Sequence, residues 1–409
     1  MPPGNELLDI SQKQTGSSEH ATTVSGATRR PRPPTPQVLR RIRFVTSSTD
    51  HCGSILAQVR TNRMANILYG VNGEGAGHST RAREVIRHLE SRGHRVHVAS
   101  FDRGLRNLKD DFDVTEIDGL RLAYVHNRVR YGRTILRNLR EVPQATRSIR
   151  KLDRAAKAWD LDLVITDFEP ITCQLGHKLG LPVIAIDNQH LLTDTEITYP
   201  REYRREAAAA KLVTRLMTPG AAAYLVTSFF TARVKIRKSD KTLLFPPILR
   251  TEVLDTTASR GDYVLVYVTS ATPELAALLK TVRQRFVCYG FGREGRDANL
   301  EFRKPGLSAF LTDLAGSLAV IANAGFSLIS EALYLGKPYL AWPVKGQFEQ
   351  VFNAYYVANE GYGVYWDELN KERVESFLFN LEAFSERLAT YARADNSALF
   401  SKLDALVGT

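Results

Sequence analysis

Residues 321–354 read IANAGFSLISEALYLGKPYLAWPVKGQFEQVFNA, and this stretch decides the fold. Its first apolar residues predict a strand that ends at Ala322, and a turn of small residues follows. The apolar spacing then predicts a helix that begins near Phe326. A second strand follows the Gly-Lys-Pro turn, and a second helix follows the loop at residues 344–348. This alternation of strands and helices predicts a parallel α/β sheet.

The turn between the first strand and its helix has the chemistry of a diphosphate site. Amides at a helix N-terminus bind phosphate because they are unpaired and lie at the positive end of the helix dipole. We therefore expect the amides around Gly325, Phe326 and Ser327 to bind a diphosphate. Glu331 lies further along the same helix, where its carboxylate can accept hydrogen bonds from two ribose hydroxyls.

Four more polar residues complete the predicted donor site. Glu349 and Gln350 begin the helix that follows the loop at residues 344–348, where their side chains can hold sugar hydroxyls. Asn323 and Ser270 each come shortly after a predicted strand and are included as donor-binding residues.

A second glycine-rich loop lies near the start of the other half of the chain. It reads GEGAGH over residues 73–78 and follows the apolar run at residues 67–71. A dinucleotide site of the G-x-G-x-x-G type needs a third glycine at the position of His78, so the loop does not favour an oxidoreductase.

Two series of alternating strands and helices divide the chain. Pro246 and Pro247 interrupt regular structure between them and predict a stiff hinge. The predicted units are a disordered basic arm at 1–63, one Rossmann-like domain at 64–247 and another at 248–409 that includes C-terminal helices. Met64 directly precedes the first strand, so a start at that residue is an alternative. The predicted strands are 67–71, 96–99, 163–166, 183–186, 224–227, 263–268, 286–289, 318–322 and 338–342.

Composition and charge narrow the class of protein. The 409 residues are 44% hydrophobic, which is enough to bury two cores, and no run approaches the about 18 apolar residues of a membrane span. Cys52, Cys173 and Cys288 lack the paired spacing of zinc sites or disulfide frameworks, which favours a reducing, cytoplasmic compartment. The formal net charge of +11 favours anionic partners, but the chain has no recognisable nucleic-acid-binding module.

Taken together, these motifs resemble the GT-B glycosyltransferases. The resemblance is strongest to the family 28-like branch, which includes the peptidoglycan lipid-intermediate N-acetylglucosaminyltransferase and the plant galactolipid synthases. It rests on the small-residue turn with Ser327 and Glu331, the Gly-Lys-Pro, and the Gln350 that precedes Asn-Ala. It implies two Rossmann-like domains that face a central cleft, with a UDP-sugar on the C-terminal domain and no metal or other cofactor. It assigns Glu331 to the ribose and Gln350 to the donor sugar.

The resemblance also implies roles for the glycine-rich loop at residues 73–78. In inverting members of this fold a Gly-His pair in that loop meets the acceptor, which makes His78 the predicted general base. Asp167 follows a neighbouring strand and is predicted to orient the imidazole, as in the plant small-molecule glycosyltransferases. The predicted acceptor-binding residues are Gly75, Gly77, Glu74 and Glu169, of which the two glutamates are reserve candidates for the base.

Three alternatives bear on the reaction. Retaining enzymes of the large family 4 carry a glutamate eight positions before the ribose-binding one, where this chain has Asn323, so an inverting displacement is predicted. UDP-sugar epimerases share the fold but open with a Gly-Thr-Arg-Pro-type loop that this chain lacks. An epimerase and a non-catalytic protein that binds nucleotide sugars remain the alternatives.

A basic segment raises the question of where the acceptor lies. Residues 128–151 interleave arginines with apolar side chains, and residues 199–217 form a second such segment. A basic amphipathic helix can lie on an anionic bilayer, which would place the protein on the inner face of the plasma membrane with a lipid acceptor. The alternative is an ordinary solvated helix and a small-molecule acceptor.

Overall fold

The chain folds into two seven-stranded sheets with helices packed against them, which confirms the predicted α/β class. The computed structural model describes residues 64–119, 124–125, 128–129, 131–269, 272–304 and 306–408. Ser270 and the predicted arm at 1–63 lie outside the described residues. So do the side chains of residues 128–142 in the predicted basic segment.

The first sheet is wholly parallel and has the order β11-β9-β7-β6-β1-β2-β3. Its central strands are buried on both faces, which is why they read as continuous apolar runs. Two short antiparallel pairs, β4 with β5 and β8 with β10, lie outside it. The strands of this half are β1 (Asn66–Val71), β2 (Arg95–Ser100), β3 (Val114–Glu116), β4 (Tyr124–Val125), β5 (Arg128–Val129), β6 (Leu163–Asp167), β7 (Val183–Asp187), β8 (Thr195–Glu196), β9 (Ala223–Thr227), β10 (Arg233–Val234) and β11 (Thr242–Phe245).

The second sheet has the order β14-β15-β13-β12-β16-β17-β18. Only its edge strand β14 runs antiparallel to its neighbour, and the other pairs are parallel. Its strands are β12 (Tyr263–Tyr267), β13 (Arg285–Tyr289), β14 (Gly295–Asp297), β15 (Leu300–Arg303), β16 (Ala319–Ala322), β17 (Tyr339–Ala341) and β18 (Gly363–Tyr365).

Helices connect the parallel strands, as crossover connections require. They are α1 (Gly77–Ser91), α2 (Asp102–Leu108), α3 (Tyr131–Trp159), α4 (Pro170–Leu179), α5 (Leu191–Asp194), α6 (Arg204–Met217), α7 (Thr251–Leu254), α8 (Pro273–Lys280), α9 (Leu307–Gly316), α10 (Phe326–Tyr334), α11 (Phe348–Asn359), α12 (Lys371–Phe379), α13 (Leu381–Ala389) and α14 (Ser397–Val407). Two 3₁₀ turns cover Arg201–Tyr203 and Ile236–Lys238.

The parallel register brings the loop that carries His78, the predicted base, and its predicted partner Asp167 to one edge of the first sheet. β1 and β6 are neighbours, and Val71 at the end of β1 pairs with Asp167 at the end of β6. The glycine-rich loop that begins after β1 therefore lies beside Asp167. Loops at the carboxyl ends of parallel strands form the binding crevice of open α/β sheets.

The last helix corrects the predicted division at 248–409. Leu399, Leu403 and Leu406 of α14 are buried in the same cluster as β1 and α1, so the helix packs on the first half. His88 of α1 lies 2.7 Å from a carboxylate oxygen of Asp404. The chain therefore returns to its N-terminal half, because that half offers the apolar face that α14 buries.

Side chains from both halves hold the linker after Pro246 and Pro247. The Asn396 side chain exchanges two hydrogen bonds with the backbone of Leu249, at 2.8 and 2.9 Å. Thr251 donates its hydroxyl to Glu84 of α1 at 2.8 Å. The predicted hinge thus lies in a segment that is bonded on both sides.

Candidate active site

The centre of the site is a hydrogen bond between His78 and Asp167. His78 is the second residue of α1, and its Nδ1 lies 2.6 Å from Oδ1 of Asp167, the last residue of β6. The carboxylate is fully buried, whereas the His78 side chain is 13% exposed. Arg81 Nη2 also lies 3.2 Å from Nδ1 and can only donate, but the Asp167 oxygen is closer and can only accept. We therefore assign the Nδ1 proton to the bond with Asp167, which leaves Nε2 unprotonated in the neutral ring.

Arg81 is part of this site and was missed by the sequence analysis. Its Nε donates to Asp167 Oδ2 at 2.8 Å and its Nη2 donates to Oδ1 at 2.5 Å, a bidentate pair. Burial alone would raise the pKa of Asp167, but Arg81 and His78 outweigh it and hold the pKa below its usual value. The carboxylate therefore stays charged. The available signal was the spacing of three residues from His78, which places both side chains on one face of α1.

A strained turn follows the carboxylate. Phe168 has a φ of 54°, in the left-handed region that non-glycine residues rarely adopt. The Asn72 amide holds this turn by donating to the Phe168 carbonyl at 2.9 Å. The Phe168 ring lies parallel to the imidazole of His78, with 6.4 Å between ring centres. Strain of this kind costs about 1 to 3 kcal/mol and is typical of functional sites.

The glycine-rich loop approaches the predicted phosphate turn of the second half. A Cβ at Gly77 would lie 2.7 Å from the hydroxyl of Ser327, so only glycine fits without displacing that side chain. Gly75 has a φ of 79°, which also favours glycine. The two predicted ligand-binding segments, one from each half, are therefore in contact.

The predicted phosphate turn has the expected backbone with one correction. β16 ends at Ala322 and α10 begins at Phe326, with Gly325 as the N-cap residue. The Gly325 amide donates to the Asn323 carbonyl at 2.9 Å, so that amide is already engaged. The amides of Phe326 and Ser327 lie in the first turn of the helix, where N–H groups lack intrahelical acceptors. These two amides are the phosphate-binding candidates.

Glu331 forms a buried ion pair with Arg250. Its two carboxylate oxygens accept hydrogen bonds from Nε and Nη2 of Arg250 at 2.7 and 2.8 Å. Burial raises the pKa of Glu331 even though Arg250 opposes the shift. Each oxygen keeps a second lone pair, so a ribose would share the carboxylate with Arg250. The sequence analysis missed this arginine, which lies on the linker between the two halves.

Glu349 faces the first half. Its Oε1 accepts a hydrogen bond from Asn188 Nδ2 at 2.9 Å, and Gln189 Nε2 lies 3.3 Å from its Oε2. Asn188 and Gln189 follow β7, and Asn188 also accepts a hydrogen bond from Arg81. Glu349, predicted as a donor-binding residue, therefore also links the two halves.

Gln350 and Asn323 hold the backbone of the donor region. Gln350 Oε1 accepts from the amide of Val344 at 2.9 Å, which orders the loop before α11. Asn323 Oδ1 accepts from the amide of Thr269 at 2.9 Å, and its Nδ2 donates to the Trp342 carbonyl at 2.9 Å. These two side chains shape the donor region by joining neighbouring loops.

Glu169 requires a correction. It is fully buried and caps α4, accepting from the amides of Ile171 and Thr172 at 2.9 and 2.7 Å and from the Thr172 hydroxyl. A carboxylate used in this way is not available to an acceptor or as a reserve base. Glu74 remains partly exposed on the glycine-rich loop, and its amide is held by Asn72 Oδ1 at 2.8 Å.

The described residues contain neither a metal-binding cluster nor a membrane-spanning helix. Within the part of the chain that the structure describes, no group of three or more His, Cys, Asp and Glu residues is placed to hold a metal ion. Among the same residues, no helix combines the length and the apolar character needed to cross a membrane.

Comparison with known proteins defines the class. The sequence description of glycosyl transferase family 1 matches residues 65–382, and the chain belongs to that family. No curated protein sequence is similar enough to the chain to count as a match.

Solved structures of glycosyltransferases share the fold. The glycotransferase of kitacinnamycin is 17% identical with a TM-score of 0.61, over 84% of this chain and 99% of that chain. Phytolacca americana UGT2, complexed with UDP-2fluoro-glucose and pterostilbene, is 12% identical with a TM-score of 0.60 over the same shares. The calicheamicin glycosyltransferase CalG4 is 16% identical with a TM-score of 0.58, over 85% of this chain and 99% of that chain. At these identities the likeness shows the GT-B fold and not the substrates.

Proposed function

We propose that this glycosyltransferase is an inverting enzyme that transfers a hexosyl or N-acetylhexosaminyl group from a UDP-sugar to an acceptor hydroxyl. The observation that carries the proposal is the 2.6 Å hydrogen bond between His78 and the buried Asp167, next to the predicted phosphate turn. A passive binding protein has no need for an oriented base at that position.

The proposed reaction is a single displacement. The acceptor oxygen attacks the anomeric carbon while the bond from that carbon to the diphosphate breaks, so the sugar inverts and UDP leaves. The acceptor proton passes to Nε2 of His78. The amides of Phe326 and Ser327 stabilise the negative charge on the departing diphosphate.

Arg81 and Asp167 prepare the imidazole for this step. Because Arg81 keeps the Asp167 carboxylate charged, the carboxylate accepts from Nδ1 of His78 and fixes the tautomer with Nε2 unprotonated. After the transfer, the imidazolium lies beside the carboxylate, which stabilises the positive charge.

The donor assignment rests on two supports. The motif around Ser327, Glu331 and Gln350 resembles nucleotide-sugar sites, and the complex of Phytolacca americana UGT2 contains UDP-2fluoro-glucose. The closer relationship to the family 28-like branch is likewise part of the proposal, on the strength of the same motif.

A thermal-shift panel of nucleotide sugars tests the donor. A UDP-sugar that binds only the folded chain raises the melting temperature by mass action, whereas the matching GDP- and dTDP-sugars should not. UDP released only after acceptor is added supports a transferase. Free epimer formed without acceptor would instead indicate an epimerase, and binding without turnover would indicate a passive binding protein.

We also propose that the acceptor is reached at an anionic membrane. Large apolar side chains are exposed at Leu212 and Leu216 of α6 and at Ile236 of the 3₁₀ turn, by 49%, 65% and 84%. Burial lowers the pKa of the neighbouring Lys235, and the charges of nearby Lys211, Arg237 and Arg215 lower it further. The patch thus combines apolar side chains with clustered cations, the pattern of a bilayer-binding surface.

Vesicle sedimentation tests this surface. The chain should bind phosphatidylglycerol vesicles more strongly than phosphatidylcholine vesicles, since each Lys or Arg near an anionic bilayer contributes about 1 kcal/mol. Changing Leu212, Leu216 and Ile236 together to Ser should abolish the binding. Phe379→Ser is the control because it removes an apolar side chain that is 89% exposed, more than any of the three, from the other half. Equal binding to both vesicles would contradict the proposal.

A further inference from the structure

A continuous path of hydrogen bonds joins the base to the donor helix. His78 bonds to Asp167, and Asp167 bonds to Arg81. Arg81 Nη1 donates to Asn188 Oδ1 at 3.0 Å, and Asn188 Nδ2 donates to Glu349 Oε1 at 2.9 Å. Five side chains thus span from the first sheet to the start of α11 in the second half. Asn188 is the only one of the five that bonds to both an arginine and a residue of the other half.

The chemistry of its neighbours fixes the orientation of the Asn188 amide. A guanidinium only donates and a carboxylate only accepts, so the amide oxygen must face Arg81 and the amide nitrogen must face Glu349. Reversing the amide would break both bonds. Asn188 therefore serves as an adaptor that neither an aspartate nor a hydrophobic residue of the same size can replace.

Burial strengthens the first part of this path. Asp167, Arg81 and Asn188 are 0%, 5% and 5% exposed. Hydrogen bonds in such an environment are less screened by water, and a change at one end alters the geometry at the next. Glu349 and His78 are partly exposed, so the path reaches solvent at its two ends and is buried between them.

Neighbouring contacts hold the same helix against the first half. The Tyr199 ring packs edge-on against Phe348, with 5.3 Å between ring centres. The amide of Thr198 donates to the hydroxyl of Tyr356 at 3.1 Å. The distance between Asn188 and Glu349 therefore depends on how the start of α11 is positioned against the first half.

We propose that Asn188 is a positioning residue, which transmits the seating of the donor helix through Arg81 and Asp167 to the imidazole of His78. The proposal rests on the proposed function, because it gives His78 the role of base and α11 the role of donor helix. Donor binding at α11 and orientation of the base are then coupled through one amide.

Nuclear magnetic resonance of histidine tests the coupling directly. The protein is labelled with [¹⁵N]histidine, the Nδ1–H signal of His78 is assigned by its loss in His78→Gln, and UDP is the added ligand. UDP should shift this signal in the wild type. Asn188→Asp keeps the acceptor for Arg81 but places a carboxylate against Glu349, so it should bind UDP and lose the shift.

Gln189→Ala provides the matched control. It removes the other neighbour of Glu349 while leaving the contact between Asn188 and Arg81, so the His78 signal should still respond to UDP. Turnover should fall by about tenfold to a hundredfold in Asn188→Asp, the cost of a misplaced catalytic group, with little change in the KM for the donor.

Four results would contradict the proposed coupling through Asn188, and they are distinguishable. A wild-type response in Asn188→Asp, or equal losses in Asn188→Asp and Gln189→Ala, would show that Asn188 transmits nothing. If calorimetry shows that UDP binds the wild type but the Nδ1–H signal of His78 does not shift, the coupling through Asn188 is refuted and the proposed function stands. Failure of UDP to bind the wild type would contradict the proposed function, and the coupling through Asn188 with it.

Discussion

Each half of the molecule buries an arginine–carboxylate pair, and the two pairs differ in their electrostatics. In the first half Arg81 holds Asp167, and in the second Arg250 holds Glu331 through the same two nitrogen atoms. The pKa of Asp167 is lowered, because Arg81 and His78 together outweigh the effect of burial. The pKa of Glu331 is raised, because burial outweighs Arg250 alone.

The difference follows from the third partner. Asp167 also bonds to the imidazole of His78, so its negative charge can stabilise that imidazole when it takes up a proton. Glu331 has Arg250 of the linker as its partner, which ties α10 to the segment between the halves. Similar ion pairs therefore have different neighbours: the first contacts the proposed base, and the second joins α10 to the linker.

Removing the imidazole should have the largest effect on turnover. A general base contributes about a hundredfold to ten-thousandfold, so His78→Ala should lower kcat by that order. Affinity for UDP should not change, because the phosphate turn lies on the other half. Stopped assays with UDP detection and calorimetry measure the two quantities. Near-normal turnover would move the base to Glu74, the remaining reserve candidate on the loop.

Breaking the two ion pairs should lower the free energy of unfolding by different amounts. Removing one partner of a buried pair costs about 3 to 5 kcal/mol, which we expect for Arg81→Ala because Asp167 is fully buried and charged. Arg250→Ala should cost less, because Glu331 already has a raised pKa and can take up a proton. Urea denaturation compares the variants. A greater loss in Arg250→Ala would reverse the comparison drawn above.

The ribose assignment predicts a smaller effect, on affinity. Loss of hydrogen bonds to a charged group costs about 1.5 to 3 kcal/mol, so Glu331→Ala should weaken UDP binding by that amount. Glu382→Ala is the control, since it removes an exposed carboxylate that pairs with Arg260. Calorimetry that finds equal UDP affinity in both variants would remove Glu331 from the donor site.

The smallest expected effect is on stability in acid. The pKa of Asp167 is lowered by folding, so its charge stabilises the protein above the unfolded value of about 3.9, and this contribution is lost as the pH falls through the folded pKa. The advantage of the wild type over Asp167→Asn should therefore shrink in acid. Glu331 has a raised pKa and the opposite sign, so Glu331→Gln should remove a gain in stability as the pH falls. Urea denaturation at a series of pH values measures both trends.

The sequence predicted the central strands of both sheets because they are buried and continuously apolar. In the two large sheets it missed β3, β11, β14, β15 and β18, which have three or four residues each and lie at or near the sheet edges, where the apolar pattern is short. The return of α14 to the first half also has no local signal, because an amphipathic helix does not specify which core it covers.

The site shows the same division between local and distant information. His78 and Asp167 could be placed together because the ends of neighbouring parallel strands meet at one edge. For Arg81 the signal was its spacing of three residues from His78 on one face of α1. Arg250 could not be placed, since no spacing indicates which arginine faces a carboxylate 81 positions away. For Glu169 a local signal was available and pointed to structure: a carboxylate directly before Pro170 is an ordinary helix N-cap, which is the role it has.

The configuration of the product tests the central claim most directly. With a donor of α configuration, attack by an acceptor hydroxyl activated by His78 must give a β-glycoside, because a single displacement inverts the anomeric carbon. Proton NMR of the isolated product reads this from the coupling constant of the anomeric proton. We expect a β-glycoside, and an α-glycoside would exclude a single displacement at the anomeric carbon.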